Sequence, residues 1–319
     1  MALLEVVNVS RAEGGLVVVH PISFVLERGS KVAIMGATGS GKSSLLKLIA
    51  GLLQPTEGAV YFEGEKVLGP DEQLLPGHPW IAYLSQHFEL RNNYRVHELL
   101  EMASKIEKEE SEMIFRICDI DHLLKRRSNQ ISGGERQRIS LAAALIKKPR
   151  LLLLDEPFSN ADMLHKEELK NILQQVNMQL KTAMIMVSHD PLDILPWAEQ
   201  ILVLKEGRLL QTGTPDEIYA DPRNEYVASL TGHYNILTPT ELRSLGLSPA
   251  SETSTKVLRP EHLTLTTNGK GLAATITKKI FMGSYFLICA DAAGHEIKVM
   301  STMKQWQEGE QVFISLQEK

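Results

Sequence analysis

Between Lys31 and Leu53 the chain runs VAIMGATGSGKSSLLKLIAGL, and this stretch constrains the fold more than any other. Gly36, Gly41, Lys42 and Ser43 fit the pattern G-x-x-x-x-G-K-[ST]. Lys31 to Met35 is a short apolar run suited to a buried strand. Ser44 to Leu53 places Leu45, Leu46, Ile49 and Leu53 at helical spacing, with Gly51 near the stop. Strand, glycine-rich loop and helix together turn backbone N–H groups and a helix N-terminus toward a phosphate. Residues Gly36, Ala37, Thr38, Gly39, Ser40, Gly41, Lys42, Ser43 and Ser44 are the expected cradle. Glycine lets the backbone approach the phosphates, Lys42 supplies a mobile cation, and the Ser43 hydroxyl is suited to ligate Mg²⁺.

The 319 residues leave room for two domains. A net charge of −5 gives no global pull toward nucleic acid or acidic membranes. The two cysteines, Cys118 and Cys289, suggest neither a disulfide framework nor a zinc site and suit a reducing compartment. The opening MALLEVVNVSRAE has no basic region, and Glu5 and Asn8 break its apolar stretch, so no signal peptide is read there. No run has the length needed to span a bilayer.

In chain order, Leu3 to Val9, Gly15 to Val19 and Pro21 to Leu26 are expected strands, followed by the Lys31 to Met35 strand, Ala59 to Phe62 and Ile81 to Leu84. Helical spacing then takes over from about 90 to 148, in Val96 to Ile106, Glu112 to Cys118 and Arg136 to Ile146. The acidic run Glu107 to Glu112 and the basic Lys125-Arg126-Arg127 are read as solvated helix ends. Leu151 to Leu154, Ala183 to Val187 and Ile201 to Lys205 are buried strands alternating with a Glu167 to Leu180 helix, which argues for a mainly parallel sheet. Thr214-Pro215-Asp216-Glu217 opens a helix, and Asp221-Pro222 a second one ending near Gly232. Composition changes near Thr238. Lys256 to Leu258, Leu263 to Thr266, Ala273 to Ile280, Tyr285 to Cys289, His295 to Met300 and Gln311 to Leu316 then form a small all-β barrel. The domains expected are 1–236 and 237–319.

Three further constellations carry chemistry. Asp155-Glu156 closes the Leu151 to Leu154 run. That strand is expected beside the P-loop strand, where Asp155 can serve the metal shell and Glu156 can deprotonate a water for in-line attack on a phosphorus. Ser132, Gly133, Gly134 and Glu135 open a helix and build a second phosphate-facing surface, one more than a single nucleotide in a single loop requires. His189, in Ser188-His189-Asp190, follows a buried strand at the sheet edge where ligands collect, within reach of a γ-phosphate and the attacking water.

P-loop, Gln86 at a strand end, ISGGE, LLLLDEP, SNAD (Ser159 to Asp162) and SHD, in that order, resemble the nucleotide-binding subunit of ABC transporters over residues 3 to 235. The resemblance implies an α/β P-loop NTPase with a helical subdomain, working as an ATP- and Mg²⁺-dependent dimer. Each ATP would lie between one subunit's P-loop and the other's signature loop, Ser132 to Glu135. It also implies Glu156 as catalytic carboxylate, His189 as switch histidine, Gln86 as a magnesium and water ligand, Asp155 as a magnesium group acting through water, and Asp162 as the D-loop aspartate. Two positions depart from the pattern. Glu135 stands where Gln is commoner, and Val9 to Gly15 holds no aromatic to stack on adenine, so Ala12 and Glu13 leave base recognition open.

Gly213 to Leu237, Leu258-Arg259-Pro260-Glu261-His262 and Phe281-Met282-Gly283-Ser284 resemble importer ATPases of the maltose, ferric-iron, polyamine and sulfate type, which end in an OB-like regulatory or dimerisation barrel. The implied protein is a peripheral subunit on the cytoplasmic face of the membrane. Its partners would be a second copy of itself, integral-membrane permease subunits and, indirectly, an extracytoplasmic solute-binding protein. The barrel's length leans toward ferric iron or polyamine as solute. A soluble ABC-type ATPase in nucleic-acid or ribosome work is the alternative. The single cassette, the short Gln86 to Ser132 interval and a tail without basic, aromatic platforms argue against it, and no nucleic acid is expected. The importer-like tail argues against an exporter.

Overall fold

Runs that are apolar throughout become the central strands. In the computed structural model, which describes residues 2–86, 90, 94–103, 107–159, 162–248, 251 and 255–317, Leu151–Asp155 and Ala183–Val187 are buried at every position, and Lys31–Met35 at all but its first. Such strands need cover on both faces, which is the environment of a parallel sheet between helices. They form a six-stranded sheet in the order Arg208–Gly213, Gln200–Lys205, Lys31–Met35, Ala183–Val187, Leu151–Asp155, Ile81–Leu84. All neighbours are parallel except Arg208–Gly213, which returns antiparallel along one edge.

This order corrects one expectation. The Asp155 strand does not adjoin the P-loop strand, because Ala183–Val187 lies between them. Hydrophobic runs reveal which strands are buried, whereas their order is set by crossovers. Here the helix Met163–Leu180 joins adjacent strands, and the strand it leads into pairs with Lys31–Met35.

A second, antiparallel sheet runs Leu16–Glu27, Ala2–Glu13, Glu57–Phe62, Glu65–Lys66. The two strands expected on either side of His20 are one. Pro21 sits in a register shift between the pairs Arg11↔Val19 and Val9↔Ile22, where its missing N–H removes no ladder bond. Leu3, Leu4, Val6, Val19, Ile22 and Phe62 of this sheet share a core with Ile34, Leu45, Leu46 and Leu153.

The P-loop helix is Lys42–Ile49, so it starts earlier and stops sooner than its periodicity implies. Ala50 caps it and the chain turns at Gly51, leaving Leu52 and Leu53 outside. The helical segment contains Val96–Ala103, Lys108–Ile117 and Gly133–Leu145. Residues 104–106 of the expected first helix fall outside the described residues. The second begins four residues before its expected start, which puts Glu109 and Glu110 in its first turn, where they complement the helix dipole.

Backbone packing divides the chain into Met1–Pro215 and Asp216–Lys319, ahead of the composition change near Thr238. The second unit is built around Arg259, which is 1% exposed. Its guanidinium donates from Nε to Tyr219 O (2.9 Å), from Nη1 to Ala228 O (3.1 Å) and His233 O (3.0 Å), and from Nη2 to Thr231 Oγ1 (2.6 Å). It also stacks 4.1 Å from the Tyr219 ring. Residues 219–233 are therefore fastened to the segment that begins the barrel.

Five antiparallel strands follow in the order Leu263–Thr266, Gln311–Leu316, Leu272–Phe281, Phe286–Ala292, His295–Ser301. The first and last of these touch, so the sheet curls back on itself around Ile276, Ile288, Ile297, Val299, Trp306 and Ile314. Two helix readings change. The helix expected from Asp221-Pro222 is Glu225–Thr231, because the Asn224 side chain accepts from Val227 N–H (3.0 Å) and fixes the start there. Pro239–Ser244, unforeseen, is a helix with a Thr238/Glu241 capping box.

Candidate functional site

Parallel strands deliver their C-terminal ends to one edge, and three adjacent ones deliver the candidate residues there: Lys31–Met35 the P-loop, Ala183–Val187 His189, and Leu151–Asp155 the two carboxylates. The strand leading to His189 thus ends between the P-loop strand and the carboxylate strand.

The loop is shaped by close backbone approach. A Cβ on Gly36 would lie 2.3 Å from Leu204 O and 2.5 Å from Ser40 Oγ, so only glycine fits there. Gly207, in the turn after Gln200–Lys205, is held the same way. Its φ is +73°, and a Cβ would come 2.4 Å from Val18 O. Its N–H donates to Ser40 O (3.1 Å), and its carbonyl accepts from His20 N–H (2.9 Å). The Ser40 hydroxyl is buried within the loop and has no hydrogen-bond partner among the described residues.

Lys42, 7% exposed, donates from Nζ to Gly36 O (2.8 Å) and Ala37 O (2.9 Å). Burial lowers its pKa, while Glu156 and Asp155 oppose that shift. Ser43 Oγ donates to Asp155 Oδ1 (2.9 Å), which brings the P-loop helix and the Asp155 strand together. The other carboxylate oxygen, Oδ2, accepts from Tyr83 OH (2.8 Å). Burial and then the Asp155 hydrogen bond push the Tyr83 phenol well above its ordinary pKa. Tyr83 belongs to none of the sequence motifs; its signal is a polar tip in the apolar run Ile81-Ala82-Tyr83-Leu84.

Glu156 follows at φ +53°, in the left-handed region, with its N–H donating to Val187 O (3.0 Å). The turn carries its carboxylate to His189, whose Nδ1 lies 2.7 Å from Oε2. A carboxylate only accepts, so the Nδ1 proton lies in this bond. Gln86 Nε2 donates to Ser159 Oγ (3.1 Å), and Ser159 Oγ donates to Glu156 O (3.1 Å), so the glutamine is joined to the same turn.

The signature segment is a closed unit. Ser132 Oγ accepts from Glu135 N–H (3.2 Å), and Glu135 Oε2 accepts from Ser132 N–H (2.7 Å). Glu135 also pairs with Arg126 (3.2 Å). The backbone hydrogen bond from Ser132 chiefly accounts for the lowered pKa of the Glu135 carboxyl. Asp162 caps Met163–Leu180, accepting from His165 N–H (3.0 Å) and standing 2.8 Å from His165 Nδ1. These bonds hold its carboxyl below the usual range. Gly134 packs under the His165 ring, where a Cβ would lie 2.6 Å from Cδ2, so this unforeseen histidine touches both the signature and Asp162. Asn160 and Ala161 of the SNAD motif lie outside the described residues.

Where an adenine-stacking ring is missing, Ala12 pairs with Val17 and Glu13 with Leu16 across the hairpin. Leu16 and Val17 are both exposed, and Glu13 is ion-paired to Arg11 (3.3 Å).

The donor set fits magnesium. Ser43 and Asp155 offer hard oxygens 2.9 Å apart, with the Gln86 amide on the neighbouring turn. No group of three or more His, Cys, Asp or Glu among the described residues is arranged to hold a metal alone. With Ser43 and Asp155 as its protein oxygens, such an ion would take its remaining ligands from phosphate oxygens and water.

Comparison with known proteins agrees. Residues 19–159 match the ABC transporter family, and residues 257–319 match the TOBE domain. One similar solved structure is cbiO1 from Clostridium perfringens, part of the ABC transporter complex cbiONQ. It is 24% identical, with 68% of this chain and 90% of that one covered and a TM-score of 0.62. Another is a dimeric ATP-binding cassette in a post-hydrolysis state bound to ADP and phosphate, at 25% identity, 66% and 98% coverage and a TM-score of 0.57. A third is an ATP-binding subunit of an ABC transporter, at 27% identity, 68% and 91% coverage and a TM-score of 0.60. Fold and site define a P-loop ATPase of the ABC class. The chain carries an ABC transporter cassette over residues 19–159 and a TOBE domain over residues 257–319, the pairing typical of importer ATPases.

Proposed function

We propose that this chain is the ATP-hydrolysing subunit of an ABC importer, acting as a homodimer docked on separate membrane permease subunits. The observation that carries the hydrolytic part is the convergence at one sheet edge of Lys42 and Ser43, the Ser43–Asp155 bond and the Glu156–His189 pair. The importer part is supported by the C-terminal TOBE domain. Among the described residues no helix is long and apolar enough to cross a membrane; in this reading the path for solute belongs to the permease subunits.

The P-loop N–H groups and Lys42 bind the triphosphate. Ser43 and, through water, Asp155 would hold Mg²⁺, which would supply positive charge against the phosphate oxygens. Glu156 accepts the proton of the attacking water, and the Nδ1 bond from His189 fixes the plane of its carboxylate. Gln86 orients that water. Ser132 to Glu135 of one copy meets the γ-phosphate in the P-loop of the other, with Asp162 at the seam. The dimeric relative bound to ADP and phosphate supports that arrangement.

Glu156→Gln tests the reading. It keeps shape and hydrogen bonding but removes the base, so turnover should fall by about 10²-fold or more. ATP binding and ATP-dependent dimerisation, followed by light scattering, should persist. Turnover within twofold of wild type would remove Glu156 from the mechanism.

A further inference from the structure

We propose that Tyr83 is a positioning residue for the metal site. It would clamp the Asp155 carboxylate so that one oxygen stays turned toward Ser43 and the bound ion. This rests on the assignment of Asp155 to magnesium.

Asp155 is 7% exposed, so a rotation of its carboxylate cannot be compensated by free water. Each oxygen has a single-purpose donor in the structure. Oδ1 accepts from Ser43 Oγ at 2.9 Å and Oδ2 from Tyr83 OH at 2.8 Å. The two donors come from different elements on different sides of the aspartate, one the P-loop helix and the other the adjacent parallel strand Ile81–Leu84. Tyr83 pairs in register with Leu153, two positions before Asp155. Side chains two apart share a face, so the phenol reaches along the strand to the carboxylate. The side chain is half-buried, and its hydroxyl is engaged by Asp155.

Partners behind a metal ligand set its orientation, and their loss commonly weakens metal binding by 10- to 100-fold. Without the Tyr83 hydroxyl, Oδ2 would be free to compete with Oδ1 for Ser43 and for the ion. The same phenol lies three residues before Gln86, so one short segment, 83–86, supplies both the clamp on Asp155 and the amide joined to the Glu156 turn. A displacement of that segment would change metal affinity and water placement together.

The test compares wild type, Tyr83→Phe, Tyr83→Met and Asp155→Asn in the full-length chain. Mn²⁺ binding is followed by electron paramagnetic resonance in the presence of a non-hydrolysable ATP analogue. Affinity for the analogue is measured separately with EDTA present. Both Tyr83 variants should bind Mn²⁺ about tenfold more weakly while retaining metal-free nucleotide affinity. A packing role alone would lower both or neither. Wild-type Mn²⁺ affinity in Tyr83→Phe, with weakened affinity in Asp155→Asn, overturns the clamp and leaves Asp155 at the metal. Wild-type affinity in Asp155→Asn overturns the assignment on which the clamp rests.

Discussion

Arg259→Met tests the account of the second unit most directly. The buried guanidinium is held by carbonyl and hydroxyl oxygens rather than by a carboxylate, and burial lowers its pKa. Methionine approximates the aliphatic stem but donates nothing. Ala228 O would retain the Thr231 hydroxyl (3.1 Å), whereas Tyr219 O and His233 O would lose the guanidinium. Stranding a buried acceptor costs about 1–3 kcal/mol, so two cost about 2–6 kcal/mol, reduced by relief of the buried charge. Lysine keeps the charge but not the fork, and should recover only part of the loss. Trp306 is the one tryptophan of Asp216–Lys319 and is 3% exposed. Its fluorescence, in a chain with Trp80 and Trp197 replaced by Phe, follows urea unfolding of that unit. A midpoint change worth less than about 0.5 kcal/mol in Arg259→Met, the size of an ordinary surface substitution, would refute the claim that Arg259 ties residues 219–233 to the barrel.

Two further outcomes follow from the geometry. Gly36→Ala drives a Cβ into the Leu204 carbonyl and Ser40 Oγ. It should lower stability by about 1–3 kcal/mol and weaken binding of a fluorescent ATP analogue at least tenfold, both measurable on one preparation. Burial pushes the Cys118 thiol from 9.0 up to about 12, against a smaller opposing effect of Arg138. The folded state therefore favours the neutral thiol, and the stability this contributes is complete below the unfolded value and lost as pH rises from about 9 toward 12. Labelling of native protein with a thiol reagent at pH 8 should track global unfolding, and rapid labelling of Cys118 would contradict its burial.

Much of the site was legible because its chemistry is local. A strand, a glycine-rich loop and a lysine in the next helix are consecutive in sequence, as are Leu151 to Glu156 and Val187 to Asp190, so spacing alone places each at a strand end. What spacing could not supply was the lateral order. Ala183–Val187 comes between the P-loop strand and the Asp155 strand, and nothing in either apolar run encodes its neighbour. Side chains that act across elements were likewise invisible. Tyr83 reaches Asp155, and His165 lies over Gly134, only after the crossovers have been made. The local errors have local causes. Pro21 opens an expected strand, yet a register shift carries one longer strand through it, and Asp221-Pro222 suggests a helix start, yet Asn224 is the better cap. Thr238-Pro239-Thr240-Glu241 carries the same threonine–proline–glutamate capping pattern as Thr214-Pro215-Asp216-Glu217, but it coincides with the composition change, which masks it.

The turn at Gly207 has a consequence for how quickly this protein can exchange nucleotide. Its N–H is bonded to Ser40 O, and its backbone stands against Val18 and Gly41. The outer wall of the phosphate loop is thus built by chain far away in sequence, through contacts made by the fold itself. A loop cast in this way behaves as a mould. The conformational entropy of shaping it is lost once, during folding, rather than at every encounter with ATP. In the proposed dimer, the free energy of nucleotide binding then stays available for drawing a second subunit onto the triphosphate.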